Sequence, residues 1–115
     1  MSAPCLFCGI VSGEIPAEVV YEDDHVLAFR DIQPQAPVHV LIVTRAHVAT
    51  INDLRAEHEP AMTALLAAAP RIARDQGVAD DGYRLVMNCL EKAGQSVFHI
   101  HMHLMGGREF QWPPG

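Results

Sequence analysis

Between Ser96 and Met105 the chain reads Ser-Val-Phe-His-Ile-His-Met-His-Leu-Met. His99, His101 and His103 alternate with Ile100, Met102 and Leu104. A period of two belongs to an extended strand and not to a helix. On such a strand the three imidazoles share one face, roughly 6.5–7 Å apart, and the apolar residues between them point the other way as core. A row of imidazoles has two chemistries open to it. Either ring nitrogen can bind a metal, and a neutral ring can attack phosphorus. The bland alternative is a solvent-facing row. A tag-like origin fails because the intervening residues are large and apolar.

A second group lies at the other end of the chain, in Cys5-Leu6-Phe7-Cys8. Such a pair is two inert thiols, a redox couple or half of a zinc site. The redox reading wants a βαβ context that the flanking sequence lacks. The zinc reading needs two further ligands, for which His47 and His99 are the candidates. His39 sits inside an apolar run as either an exposed strand residue or a partner behind the site, and the exposed position is expected. His58, on a helix, is expected to be solvated.

The segment Ser96–Met105 resembles the histidine triad motif, His-φ-His-φ-His-φ-φ with φ apolar. The closing Gly106-Gly107-Arg108-Glu109-Phe110-Gln111-Trp112-Pro113-Pro114-Gly115 is similar to the tail of the HINT branch of the histidine triad (HIT) superfamily, the nucleoside phosphoramidate hydrolases. The likeness runs from about Leu6 to the C-terminus, with the Gly94-Gln95-Ser96 turn, the triad and the Trp-Pro-Pro-Gly end in order. It implies a HIT-like fold, one HIT domain over residues 1–115, and a homodimer whose sheets join into one extended sheet.

The resemblance also implies a reaction: hydrolysis of purine nucleoside 5′-phosphoramidates to nucleoside monophosphate plus amine through a nucleotidyl-histidine intermediate. The alternatives are a dinucleoside polyphosphate hydrolase or nucleotidyltransferase, and a nucleotide-binding scaffold with incidental activity. His101 is then the nucleophile, with its proton on the nitrogen facing away from phosphorus. His103 and Ser96 hand a proton to the departing amine, worth about 10²–10⁴-fold in rate. His99 orients the set. Leu6, Phe7 and Ile10 line the base pocket, though core packing explains each of them equally well. Phe29 and Ile32 flank base and sugar. Asp31 accepts from both ribose hydroxyls, as a two-oxygen carboxylate can. Asn88 lies near ribose and phosphate. Gly94, Gln95, Ser96 and Val97 aim amides and a hydroxyl at the phosphate oxygens, and Trp112 crosses the dimer interface. In some relatives the positions of Cys5, Cys8, His47 and His99 bind a structural zinc. No catalytic metal is required by this scheme. The loop Leu90–Gln95 carries bulkier residues than relatives usually do, which leaves the leaving-group preference open.

These groups need a scaffold. Leu6, Phe7, Ile10 and Val11 suit a short helix ending near Ser12-Gly13. Val19–Glu22 and Val26–Ile32 read as a hairpin turning at Asp23-Asp24, with Asp31 at its end. Gln33–Pro37 is a loop stiffened by two prolines. Val38–Thr44 is an apolar strand. Asn52 and Asp53 mark a turn or helix start. A long helix is expected over about 56–76, with Pro60 in its first turn and an apolar stripe of Met62, Leu65, Leu66, Ala69 and Ile72. Pro70 costs about 3 kcal/mol inside a helix, so a kink or a junction of two helices is expected there. Tyr83–Cys89 is the next strand, and Leu90–Gln95 a hairpin loop into the triad strand. The sum is α+β, an antiparallel sheet of about five strands with a short N-terminal helix and one long helix packed on it.

The chain has 115 residues, half of them hydrophobic, 19% charged, with a net charge of −6. That is enough for one modest core. It offers no basic footprint for nucleic acid. No apolar run approaches the roughly 20 residues of a membrane span, and no signal peptide is visible. Three cysteines, two of them three positions apart in one short motif, fit a reducing cytoplasm better than a disulfide framework. The expected partners are a purine nucleotide and a second copy of the chain, without nucleic acid or membrane.

Overall fold

The computed structural model describes residues 5–115. The reading of the extreme N-terminus falls partly on residues 1–4, outside the described residues. Among the described residues, no helix is long and apolar enough to cross a membrane.

Five strands form one antiparallel sheet: β1 (Val19–Glu22), β2 (Val26–Arg30), β3 (Val38–Thr44), β4 (Tyr83–Val86) and β5 (His101–Gly106). Their order across the sheet is β1-β2-β3-β5-β4. Two helices, α1 (Leu6–Ser12) and α2 (Glu59–Asp75), cover it. The period-two alternation sorts the strand residues onto opposite faces. Val26, Ala28, Val40, Ile42, Met102 and Leu104 pack with Leu65, Ala68, Ala69, Ile72 and Ala73 of α2. Leu27, Phe29, Leu41 and Val43 pack instead with Phe7 of α1. β2 and β3 are therefore apolar on both sides, because each side meets its own helix. In β5 the α2 side is apolar and the α1 side carries His101 and His103, so the fold turns the histidines toward the smaller helix.

Local chemistry sets the ends of α1. Cys5, extended at the N-cap, accepts the amide of Cys8 on its sulfur at 3.4 Å. Gly13 closes the helix in the left-handed region at φ 85°, where a Cβ is penalised.

Several expectations need correction. β2 stops at Arg30, one residue short of Asp31, and β4 stops at Val86 rather than Cys89. The long helix is preceded by a separate 3-10 turn over Ala56–His58. His58 caps that turn, its Nδ1 accepting the Arg55 amide at 3.0 Å, so it is not simply solvated. Pro60 lies in the first turn of α2, as expected. Pro70 does not divide α2, which runs unbroken to Asp75. The carbonyl it leaves unbonded belongs to Leu66, which is 58% exposed, so water can satisfy it. Burial of Ile72 beyond the proline returns about 1.5–3 kcal/mol, which offsets much of the cost. The exposure of Leu66 also removes it from the expected stripe, where Ala68 and Ala73 stand instead.

Candidate functional site

The expected row of three histidines is a pair and an outlier. β5 begins at His101, and His99 lies in the bend before it. There the backbone departs from the ladder: His99 N–H donates to Val97 O at 3.0 Å and Ile100 N–H to Val48 O at 2.8 Å. His101 and His103 remain on one face with ring centroids 5.2 Å apart, closer than the strand repeat because the rings lean together. His99 turns toward the thiols of Cys5 and Cys8.

His101 and His103 lie on the wall of a cleft of about 340 Å³. Leu6, Phe7 and Ile10 of α1 form one side, Phe29, Asp31 and Ile32 another, and Ser96 with Val97 a third. Arg30, Gln33, Leu41, Ile15, Pro16 and Ala17 complete it; the last three are a loop that sequence reasoning passed over, and only its position directly after the α1 cap could have flagged it. Ile32 stands at the mouth, 95% exposed. Asp31 accepts the Gln33 amide on Oδ1 at 2.8 Å. Four expected residues, Asn88, Gly94, Gln95 and Trp112, are not on this wall. Asn88 and Gly94 neighbour each other, a Cβ on Gly94 falling 3.7 Å from the Asn88 amide nitrogen. Trp112 is 84% exposed. Gln95 is buried, and its side chain faces away from the cleft. Its Oε1 accepts the Leu90 amide at 2.7 Å, and its Nε2 donates to Ala49 O at 2.8 Å and Val97 O at 3.1 Å. It thereby braces the turn that carries Ser96.

Backbone partners fix which nitrogen each histidine presents. His101 Nδ1 lies 2.8 Å from the carbonyl oxygen of His99. A carbonyl only accepts, so Nδ1 carries the proton and Nε2 is left as a lone pair. His39 is the reverse case. Its Nδ1 receives the amide N–H of Gln35 at 3.0 Å, so its own proton is on Nε2. That Nε2–H donates to His103 Nδ1 at 2.9 Å, with Asp31 Oδ2 at 3.5 Å from the same nitrogen. His103 therefore accepts at Nδ1 and holds its proton on Nε2. Burial keeps His39 below the usual histidine range, against the pull of Asp31. Burial, then His101 and His39, brings His103 down to about 4. Both rings are neutral at neutral pH, as this proton order requires.

His39 is the principal correction. It is buried, not an exposed strand residue, and it stands behind His103. The Asp31, His39 and His103 donor atoms lie close enough together to suggest a metal. A metal on His39 Nε2 would want a proton on Nδ1, where the Gln35 N–H already points. This cluster orders protons instead.

The other cluster suits a metal. The donor atoms of Cys5, Cys8, His47 and His99 all lie within 4.8 Å of one another. His99, fully buried, approaches Thr44 O with Nε2 at 2.6 Å, which leaves Nδ1 as a lone pair aimed at the thiols. Its Nδ1 lies 3.4 Å from Cys5 Sγ, 3.6 Å from Cys8 Sγ and 3.3 Å from His47 Nδ1. Tetrahedral zinc, with bonds of about 2.0–2.3 Å, sets such donors about 3.3–3.8 Å apart. Two thiolates and two neutral imidazoles fit a zinc ion in both number and spacing. Burial and the neighbouring Cys5 raise the Cys8 thiol above its ordinary value.

The sequence matches the HIT domain model over residues 12–110. It is 51% identical over 108 residues to the purine nucleoside phosphoramidase of Escherichia coli K12, covering 94% of this chain and 91% of that protein. It is 47% identical to a 14 kDa zinc-binding protein of Brassica juncea, across 96% of this chain and 98% of the relative. Among solved structures, a HIT family hydrolase from Legionella pneumophila Philadelphia 1 superposes with a TM-score of 0.94 at 52% identity, covering 97% of this chain and all of that one. The paired histidines on β5, the five-stranded sheet and these likenesses agree, and the chain belongs to the HIT family, in its HINT-like branch.

Proposed function

We propose that this protein, read as one HIT domain over residues 1–115, hydrolyses purine nucleoside 5′-phosphoramidates, with His101 as nucleophile. The observation that carries the proposal is the His101 tautomer. The His99 carbonyl holds the Nδ1 proton at 2.8 Å, and the free Nε2 lone pair belongs to a ring on the cleft wall. The identity to a purine nucleoside phosphoramidase supports the substrate class.

Nε2 attacks the α-phosphorus and the phosphorus–nitrogen bond breaks, its electron pair staying on nitrogen. The departing amine needs a proton. His103, with its N–H on Nε2, and the Ser96 hydroxyl are the groups on this wall that hydrogen-bond the phosphate and deliver it, and solvent restores theirs. Water then attacks phosphorus, the bond to His101 breaks, and nucleoside monophosphate leaves. The net balance puts a water hydroxyl on phosphorus and a proton on the amine. Backbone amides from Gln95 to Val97 offset charge on the phosphoryl oxygens. Asp31 takes the ribose hydroxyls, Phe7, Leu6 and Ile10 hold the base with Phe29, and Ile32 closes the mouth. Asn88 and Gly94 act from the loop beside the phosphate.

Cys5, Cys8, His47 and His99 hold a structural zinc, which fixes α1 to the bend before β5. A homodimer is supported by the exposure of Trp112 and by β4, an edge strand whose Leu85 is exposed. Two cysteines placed as zinc ligands and a third, Cys89, outside any disulfide fit a cytoplasmic setting.

The test compares wild-type protein with His101→Ala on adenosine 5′-phosphoramidate. Release of monophosphate falls by at least about 10³-fold in the variant, and a nucleotidylated chain is trapped only with the wild type. Equal rates remove His101 as nucleophile. Dinucleoside polyphosphates in the same panel separate the phosphoramidase from a polyphosphate hydrolase.

A further inference from the structure

The C-terminal tail is tied to the back of the cleft at a specific point. β5 ends at Gly106. Gly107, at φ 90°, then passes so close to Pro37 that a Cβ there would lie 2.9 Å from the proline ring. Arg108 follows, its Nε–H donating to Gln35 O at 3.0 Å. Its guanidinium lies 4.3 Å from the centroid of the Phe110 ring, and Arg84 lies 5.1 Å from the same centroid. Arg84 in turn donates to Gln111 O at 3.0 Å. The tail is thus held twice, by Arg84 along its length and by Arg108 onto the proline loop.

Gln35 is the residue whose amide N–H sets the His39 tautomer. Its carbonyl and its N–H therefore serve two partners at once, Arg108 on one side and His39 on the other. We propose that Arg108 is a positioning residue that, through Gln35, holds His39 with its proton on Nε2, and so keeps the His103 proton on the nitrogen available to substrate.

The physical reason is a degeneracy. The His39–His103 contact survives if both rings are reversed: His103 then donates from Nδ1–H to a bare His39 Nε2, and His103 Nε2 becomes a lone pair that repels a phosphate oxygen. The 2.9 Å distance between the rings suits either order. What distinguishes them is the Gln35 N–H, which a protonated His39 Nδ1 would oppose, together with Asp31 Oδ2, 3.5 Å from His39 Nε2, which favours a proton there. Arg108 fixes the Gln35–Ala36 peptide, one Cα away from the peptide that carries that N–H, and Gly107 packs on Pro37 just beyond, so the loop that aims the N–H is held from its C-terminal side. This inference rests on the proposed role of His103 as hydrogen-bond donor, but its primary readout does not need turnover.

The experiment is ¹⁵N spectroscopy of the imidazoles in full-length protein at neutral pH, without nucleotide. In wild type, His39 and His103 both show an unprotonated Nδ1 and a protonated Nε2. In Arg108→Ala the reversed order becomes populated, the tautomer ratio shifting by about threefold to tenfold, the size set by loss of one hydrogen bond. Arg108→Lys, which keeps a cationic donor, restores part of the wild-type ratio. Arg84→Ala loosens the same tail without touching Gln35 and leaves the ratio unchanged. In activity, Arg108→Ala lowers kcat by a similar factor with KM little altered. An unchanged ratio in Arg108→Ala overturns the proposal, as does an equal shift in Arg84→Ala. If His101→Ala proves fully active while the Arg108→Ala spectrum shifts as described, the nucleophile assignment fails and the tautomer link stands.

Discussion

His99 and His101 sit two residues apart and are opposites. Each is held by one backbone carbonyl, yet they present different nitrogens. Thr44 O takes Nε2–H of His99 and leaves Nδ1 facing two thiols. The His99 carbonyl takes Nδ1–H of His101 and leaves Nε2 free. The first ring serves a metal-type cluster, the second a cleft. The same side chain acquires two chemistries from the position of an acceptor, because a neutral imidazole has one proton and the acceptor decides where it sits. The two regions also differ in strain. Around the Cys5–His99 cluster, left-handed backbone falls on Gly13. In the loop feeding the cleft Gly94 takes the left-handed turn, and Leu90 in addition holds φ 73° with ψ 167°, a region that is essentially glycine's own.

The contrast can be broken most strongly at the cluster. Cys8→Ser abolishes stoichiometric zinc in purified protein and lowers Tm by about 5 °C or more, whereas His103→Gln leaves zinc content unchanged. Elemental analysis with thermal unfolding checks both. Equal zinc in wild type and Cys8→Ser ends the metal assignment.

A smaller effect sharpens the cleft side. His103 has its folded pKa lowered to about 4, from an ordinary value near 6.5. Between these values the unfolded chain binds a proton that the folded chain does not, so unfolding is favoured as pH falls. Stability therefore declines from about pH 6.5 to pH 4 on this account, and the contribution of this group levels off below. His103→Gln flattens the slope of Tm against pH in that window. An unaltered slope refutes the assigned shift.

The smallest effect concerns Leu90. Leu90→Gly relieves the strained backbone and stabilises the fold by about 1 kcal/mol, measured by urea unfolding. A loss of stability would mean that contacts of the leucine side chain outweigh the strain.

Much of this division was legible from residue order. The alternation of His101 and His103 with Met102 and Leu104 gave the strand and its core face, and the resemblance put Cys5, Cys8, His47 and His99 together, as the fold does. The break at His99 was not legible, because Val48 captures the Ile100 amide from 52 positions away and no local signal marks it. His39 was misjudged for a related reason. A histidine in an apolar strand has the same local pattern whether it faces water or another ring. The decision lies in the β3–β5 register, which pairs His39 with Met105 and Leu41 with His103, leaving the two histidines diagonal on one face. The side chain of Gln95 likewise found its partners in backbone groups that only the folded loop assembles.

Phe7 touches both worlds. It sits between the two cysteines in sequence, and its ring meets His99 at 5.9 Å and His101 at 5.0 Å, edge-on. Anything that unfastens the first turn of α1 therefore removes a wall of the cleft before it disturbs His101. Under the proposed zinc assignment, removal of the metal therefore weakens substrate binding more than it slows the chemical step.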